Sequence, residues 1–268
     1  MVIIGRKLIR NAACLCLFIL LVITIQIKSY PLAGLWILGS VLLWIFFDKS
    51  IKAFVMTNLC FGIGFFFYLY AATYWTVHIE TKELSVFLNR FSLVMVLIPM
   101  ALLSRFSGSP FLKYWKKPVW NEMISFPFIW SGFHRTKVKT FLIIALTVNV
   151  LIFTPFVIGK GWPFIKEIWL LTMIFSLTNA IFEELIWRGA LLSSFSEQLG
   201  EKWAVVLTSL GFGLQHYSLG FPWSVCIAFS IGGLFYGGIT IKSKSIVPSI
   251  IWHITLNILM FLSGLIIK

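Results

Sequence analysis

Nine stretches of roughly 17–25 mainly apolar residues follow one another along this chain, each long enough to cross a bilayer as a helix. They run over 11–27, 31–48, 53–77, 84–104, 140–158, 168–192, 201–217, 223–241 and 246–267. Apolar runs of this length in succession leave little choice of fold. The expected class is all-α, a polytopic membrane bundle of about eight or nine transmembrane helices. The seventh stretch is the weakest of the set, being short and interrupted by Gly and Gln.

Composition agrees with lipid as the solvent. Apolar residues make up 59% of the chain and charged residues 12%, against about 25% charged in a soluble domain. The mean hydropathy is +0.95, and a soluble fold of this size would expose large apolar patches. The 27 Phe and 12 Trp suit lipid-facing surface and the headgroup level.

The net charge of +13 does not read as nucleic-acid binding, because no basic helix or stacking module accompanies it. The cations sit between the apolar runs and describe topology. With the N-terminus cytoplasmic, 15 Lys and Arg fall on the cytoplasmic side and five (Lys28, Lys82, Lys160, Lys166, Lys268) on the outer side. Arg90 and Arg188 fall inside spans. That asymmetry supports a multi-pass protein of the cell membrane with a cytoplasmic N-terminus.

Met1 to Arg10 and the run behind it look like a signal peptide, but no small-x-small cleavage site follows, so a retained first span is expected. The chain carries no C-terminal CaaX box and is not expected to be prenylated itself. Cys14, Cys16, Cys60 and Cys226 all lie in apolar runs with no CxxC spacing, and read as small apolar residues. Cys14 and Cys16 are where palmitoylation would be sought.

One long loop, 105–139, interleaves aromatic and basic residues from Phe111 to Trp120, with Pro110, Pro118 and Pro127 interrupting it. It reads either as a segment lying in the membrane interface or as a basic loop that sets topology. It divides the chain into 1–139, N-terminal helices with a cytoplasmic amphipathic loop, and 140–268, where nearly all the chemistry lies.

The sixth stretch contains Phe182-Glu183-Glu184-Leu185-Ile186-Trp187-Arg188. An ionised group near mid-bilayer costs about 2.5–3.5 kcal/mol, so both carboxylates are expected to face protein. Glu184 and Arg188 are four apart and can pair on one helix face. Glu183 points about 100° away from that face, which suits a general base. A structural Glu–Arg clamp is the plainer reading of the pair.

Two of the four histidines follow on later helices. The seventh stretch ends Phe212-Gly213-Leu214-Gln215-His216, and the ninth carries His253-Ile254-Thr255-Leu256-Asn257. His253 and Asn257 are four apart and share a face. A lone membrane histidine is commonly an interhelical hydrogen bond. At 1.5 Å per residue, however, Glu183, His253 and His216 lie about 15, 10 and 20 Å from the cytoplasmic helix ends, so antiparallel helices would bring them to one level. Gly233 and Gly237, between them, form a small-xxx-small face that allows close helix packing.

Glu183-Glu184-x-x-x-Arg188, Phe212-x-x-x-His216 and His253-x-x-x-Asn257, in that order, resemble the CAAX protease and bacteriocin-processing family, relatives of the type II CAAX prenyl proteases. The likeness covers about a third of the chain, 165–260. It implies an intramembrane endopeptidase acting on a membrane-bound peptide or protein, in prenyl-protein or precursor processing or in bacteriocin self-immunity. It implies Glu183 as base with His216 as its partner, His253 and Asn257 at the oxyanion, and Glu184 with Arg188 as structural support. It also leaves two chemistries open: metal-free water activation, or Zn2+ held by Glu183, His216 and His253.

Other intramembrane proteases fit poorly. Asp48 is the only Asp, where an aspartyl type needs two, and neither HExxH nor a GxSG-like serine is present. Two other functions compete: an ion-coupled transporter, since buried Glu and His also mark ion pathways, and a non-catalytic scaffold of the same fold. The transporter would show paired halves with broken helices, and none is evident.

Overall fold

A computed structural model describes residues 2–266. Lys268 and the last residue of the ninth expected stretch, 267, lie outside the described residues. The described residues form ten α-helices: α1 (Val2–Ile27), α2 (Tyr30–Phe46), α3 (Lys49–Tyr74), α4 (Lys82–Phe91), α5 (Val94–Ser107), α6 (Val138–Glu184), α7 (Leu192–Leu199), α8 (Glu201–Leu214), α9 (Trp223–Ser243) and α10 (Val247–Leu262). Among the described residues, five helical segments are long and apolar enough to cross a membrane: Lys7–Ile27, Lys49–His78, Lys82–Ser107, Val138–Leu199 and Trp223–Ser243. Tyr30–Phe46 and Val247–Leu262 are shorter apolar helices. The chain is an integral membrane protein built as an all-α bundle.

Two features depart from the nine-stretch reading. The fifth and sixth stretches join into α6, broken only at Gly161, whose φ of 76° and ψ of 164° are non-helical. Left-handed φ is available to glycine without a Cβ penalty, and Pro163 then restarts the helix with its fixed φ. The seventh stretch becomes α8, which spans 14 residues, about 21 Å against a hydrocarbon core of about 30 Å. Its end passes into a 3-10 turn, Gln215–Leu219, that carries His216.

The helices divide into two compact units, each interleaving segments from both halves of the chain. The first takes the described parts of Met1–Phe67, Met95–Lys113 and Ile186–Gly237. Its centre is aromatic: Trp187 stacks edge-on against Phe18 and Phe61, with ring centroids 6.4 and 5.5 Å apart, and Phe18 meets Phe195 at 5.1 Å. Glycines let α8 and α9 close on one another. A Cβ on Gly213 would stand 2.0 Å from Ser230 Oγ, and one on Gly233 would stand 2.9 Å from Ser209 Cα. The small-residue face expected around Gly233 and Gly237 is thus used for packing.

The second unit takes the described parts of Tyr68–Val94, Tyr114–Leu185 and Gly238–Lys268. Here α6 packs along α10, with Phe175 against Phe261 at 5.2 Å and Phe141 against Trp252 at 5.9 Å. The 105–139 region has more order than either loop reading foresaw. It contains an antiparallel hairpin, β1 (Met123–Pro127) with β2 (Gly132–Lys137). Ile124 and Ile129 are buried there, and a Cβ on Gly132 would fall 1.8 Å from the Phe126 carbonyl oxygen. Backbone N–H groups of Val119 and Ile246 donate to Ser243 O at 2.8 Å and Tyr114 O at 3.0 Å, tying this loop to the α9–α10 connection.

Candidate active site

Glu183 and Glu184 end α6, and both are buried, at 2% and 0% exposed. The next seven residues, Leu185–Leu191, form a π-helix, a local widening that recurs at functional sites. The two carboxylates face His253 of α10 within the second unit. Its Nδ1 lies 2.9 Å from Glu184 Oε1, and its Nε2 lies 3.7 Å from Glu183 Oε2. One buried imidazole therefore addresses both acids from its two edges. A carboxylate is acceptor-only, so Nδ1–H donates to Glu184 and orients the ring.

Asn257 lies one turn beyond His253 on the same face of α10 and is buried. Its Nδ2 has no hydrogen-bond partner among the described residues. A buried amide donor with no acceptor costs about 1–3 kcal/mol, so its retention points to a group that it serves.

His216 and Arg188 belong to the first unit. His216 is buried, and its Nδ1–H donates to the Phe212 carbonyl at 2.8 Å. That bond leaves Nε2 as the edge able to accept a proton. Phe229, with its centroid 4.4 Å away, and Phe212, at 5.2 Å, wall the ring. Arg188 donates from Nη2 to Gly233 O at 3.2 Å and lies over the rings of Phe212 at 4.3 Å and Tyr236 at 5.1 Å. The geometry thus joins Glu183, Glu184 and His253 directly, with Asn257 beside them.

A catalytic zinc needs a set of converging protein donors. Of the expected set Glu183, His216 and His253, two share the second unit, where a catalytic zinc takes three protein ligands, and Glu184 beside them is engaged with His253 Nδ1. Among the described residues no group of three or more His, Cys, Asp or Glu side chains is placed to hold a metal ion.

The Rce1-like family of type II CAAX prenyl endopeptidases matches residues 165–259. That match takes in every residue of the Glu–Glu–Arg, Phe–His and His–Asn motifs. Over that segment, about a third of the chain, the protein is similar to the CAAX proteases. No curated protein and no solved structure matches it. The matched segment runs from inside α6 through most of α10, so the carboxylates, His253 and Asn257 all fall within it.

Outside that segment lies a polar group that sequence reading noted only as an intramembrane cation. Arg90 of α4 is buried in the second unit. Its Nη1 donates to Asn179 Oδ1 at 2.9 Å and its Nη2 to Asn89 Oδ1 at 2.5 Å. Asn179 is four residues before Glu183 and so one turn away on the same side of α6. The signal that could have found it is the presence of an Arg in an apolar stretch, since such residues face protein interior.

Proposed function

We propose that this CAAX protease relative is an intramembrane endopeptidase that hydrolyses a peptide bond of a membrane-associated or lipidated peptide or protein with Glu/His-activated water. The observation that carries this reading is the buried Glu183–His253 pair at 3.7 Å, inside the segment that a peptidase family matches.

Peptide hydrolysis needs a deprotonated water and donors aimed at the developing oxyanion. Glu183 takes the proton from water, and the hydroxide adds to the scissile carbonyl carbon. A positioned base of this kind contributes about 10²–10⁴-fold. The Asn257 amide and the Nε2–H of His253, present when both ring nitrogens carry protons, stabilise the oxyanion, each such donor being worth about 3–4 kcal/mol. Collapse breaks the C–N bond, and the proton held by Glu183 passes to the leaving amine. Glu184 keeps the His253 ring in register through Nδ1–H. His216, which the family likeness makes the partner of the base, has Nδ1–H spent on Phe212 and keeps Nε2 as its proton-accepting edge. The N-terminus faces the cytoplasm, following the 15-to-five asymmetry of basic residues.

The test compares wild type, Glu183→Ala and His216→Ala in detergent on a library of membrane-tethered and prenylated peptides. Cleavage by wild type that both variants lose is the expected result. Equal cleavage by all three sinks the Glu/His chemistry, and none by wild type sinks the reading and favours a non-catalytic scaffold.

A further inference from the structure

A cleft of about 430 Å³ opens at the head of α6, lined by Trp120, Asn121, Lys139, Leu142, Ile143 and Leu146. That is the volume of a small-ligand site. All six residues belong to the second unit, and none takes part in the Glu–His chemistry. Lys139, Leu142, Ile143 and Leu146 recur three and four apart, so they share one face of α6. The opposing wall is the chain just before β1, and it is held in place. The backbone N–H of Lys139 donates to Trp120 O at 3.1 Å, and that of Val138 to Glu122 O at 2.9 Å. On the opposite side of the helix, Phe141 packs against Phe126 at 6.1 Å and Trp252 at 5.9 Å. Both walls are therefore fixed by the fold.

Charge and apolar surface follow one another along this cleft in the order in which a lipid presents them. Lys139 stands at its head, and Leu146, seven residues on, lies about 10 Å deeper. The headgroup layer of one leaflet is about 5–8 Å thick. A phosphate at Lys139 thus leaves its acyl chain against Leu142, Ile143 and Leu146, and Ile143 is open to the bilayer at 53% exposed. Trp120 is half-buried beside Lys139, at the level where indoles gather. The surroundings set the sign of the ligand. From Tyr114 to Lys139 the chain carries five exposed cations, Lys116, Lys117, Arg135, Lys137 and Lys139, against one carboxylate, Glu122. Among the described residues none of the five is in an ion pair. The positive end of the α6 dipole adds to Lys139. Basic pockets at the ends of membrane helices suit anionic headgroups. We propose that this cleft binds one anionic glycerophospholipid, its phosphate on Lys139 and an acyl chain along Leu142, Ile143 and Leu146.

The test is native mass spectrometry of the full chain in detergent, titrated with phosphatidylglycerol or with phosphatidylcholine of the same chain length. Wild type is expected to hold one phosphatidylglycerol at least about tenfold more tightly than phosphatidylcholine. Lys139→Gln should weaken phosphatidylglycerol binding by about tenfold to a hundredfold, the range of a charge-assisted hydrogen bond, and leave phosphatidylcholine binding within about twofold. Lys117→Gln removes an exposed cation of the same loop outside the cleft, and should cost no more than about fivefold. Leu146→Trp fills the apolar end and should also expel the lipid. Melting temperature without added lipid checks that each variant is folded. Equal losses from Lys139→Gln and Lys117→Gln would overturn the assignment and leave a diffuse basic surface. Unchanged binding by Leu146→Trp, or equal binding of the two lipids by wild type, would overturn it as well. Competition by glycerophosphoglycerol, which has no acyl chains, would make the ligand a soluble phosphate ester and overturn the lipid assignment.

Discussion

His253 Nδ1 stands 2.9 Å from Glu184 Oε1, and this contact gives the second glutamate a task beyond the helix clamp expected of it. By taking Nδ1–H, Glu184 sets which edge of the imidazole faces Glu183. The adjacent carboxylates thereby divide into one that orients the ring and one that lies beside its working edge.

That division predicts a graded pair of variants. Glu183→Gln should lower kcat by about 10²–10⁴-fold, the contribution of a positioned base. Glu184→Gln keeps an oxygen acceptor for Nδ1–H but loses the charge, and should cost about tenfold to a hundredfold. Rates on the tethered-peptide library, with melting temperature as the control for folding, check the order. A larger loss from Glu184→Gln would reverse the assignment.

Asn257→Ala should lower kcat by about 10²–10³-fold with little change in KM, because an oxyanion donor acts mainly in the transition state. Removing a donor that has no partner among the described residues leaves no protein acceptor stranded. Melting should therefore stay close to wild type. A variant that melts early with its kcat intact would assign Asn257 to packing.

Chelation separates the two chemistries that the family likeness left open. Cleavage should survive an excess of 1,10-phenanthroline, as expected for Glu183 acting on water directly. Loss of activity with rescue by added zinc would assign the metal-dependent chemistry instead.

Two glycines should respond in opposite ways. A Cβ on Gly211 would lie 2.6 Å from the Trp187 ring and 2.7 Å from Phe18, whereas nothing stands within 4 Å of one on Gly232. Gly211→Ala should destabilise by about 1–3 kcal/mol through overpacking. Gly232→Ala, in the middle of α9, should leave stability unchanged or raise it by about 0.5–1 kcal/mol. Thermal unfolding in one detergent compares them.

Much of this protein is local and so legible in the linear chain. Apolar run length sets helices, since a 3.6-residue repeat and a bilayer of known thickness are properties of single segments. The cost of burying charge singled out Glu183, Glu184, His216 and His253 as interior groups before any partner was known. Four-residue spacing likewise put Asn257 on the face of His253.

What spacing does not carry is the choice among partners far apart in sequence. His253 meets Glu184 across 69 positions, and Arg90 meets Asn179 across 89. Periodicity says that such groups face inward but not which of them touch. The break at Gly161, the shortness of α8 and the hairpin after α5 are likewise settled by packing. Tertiary structure therefore decided that Glu184 serves an imidazole, and that a buried arginine lies one turn from the carboxylate at the centre of the chemistry.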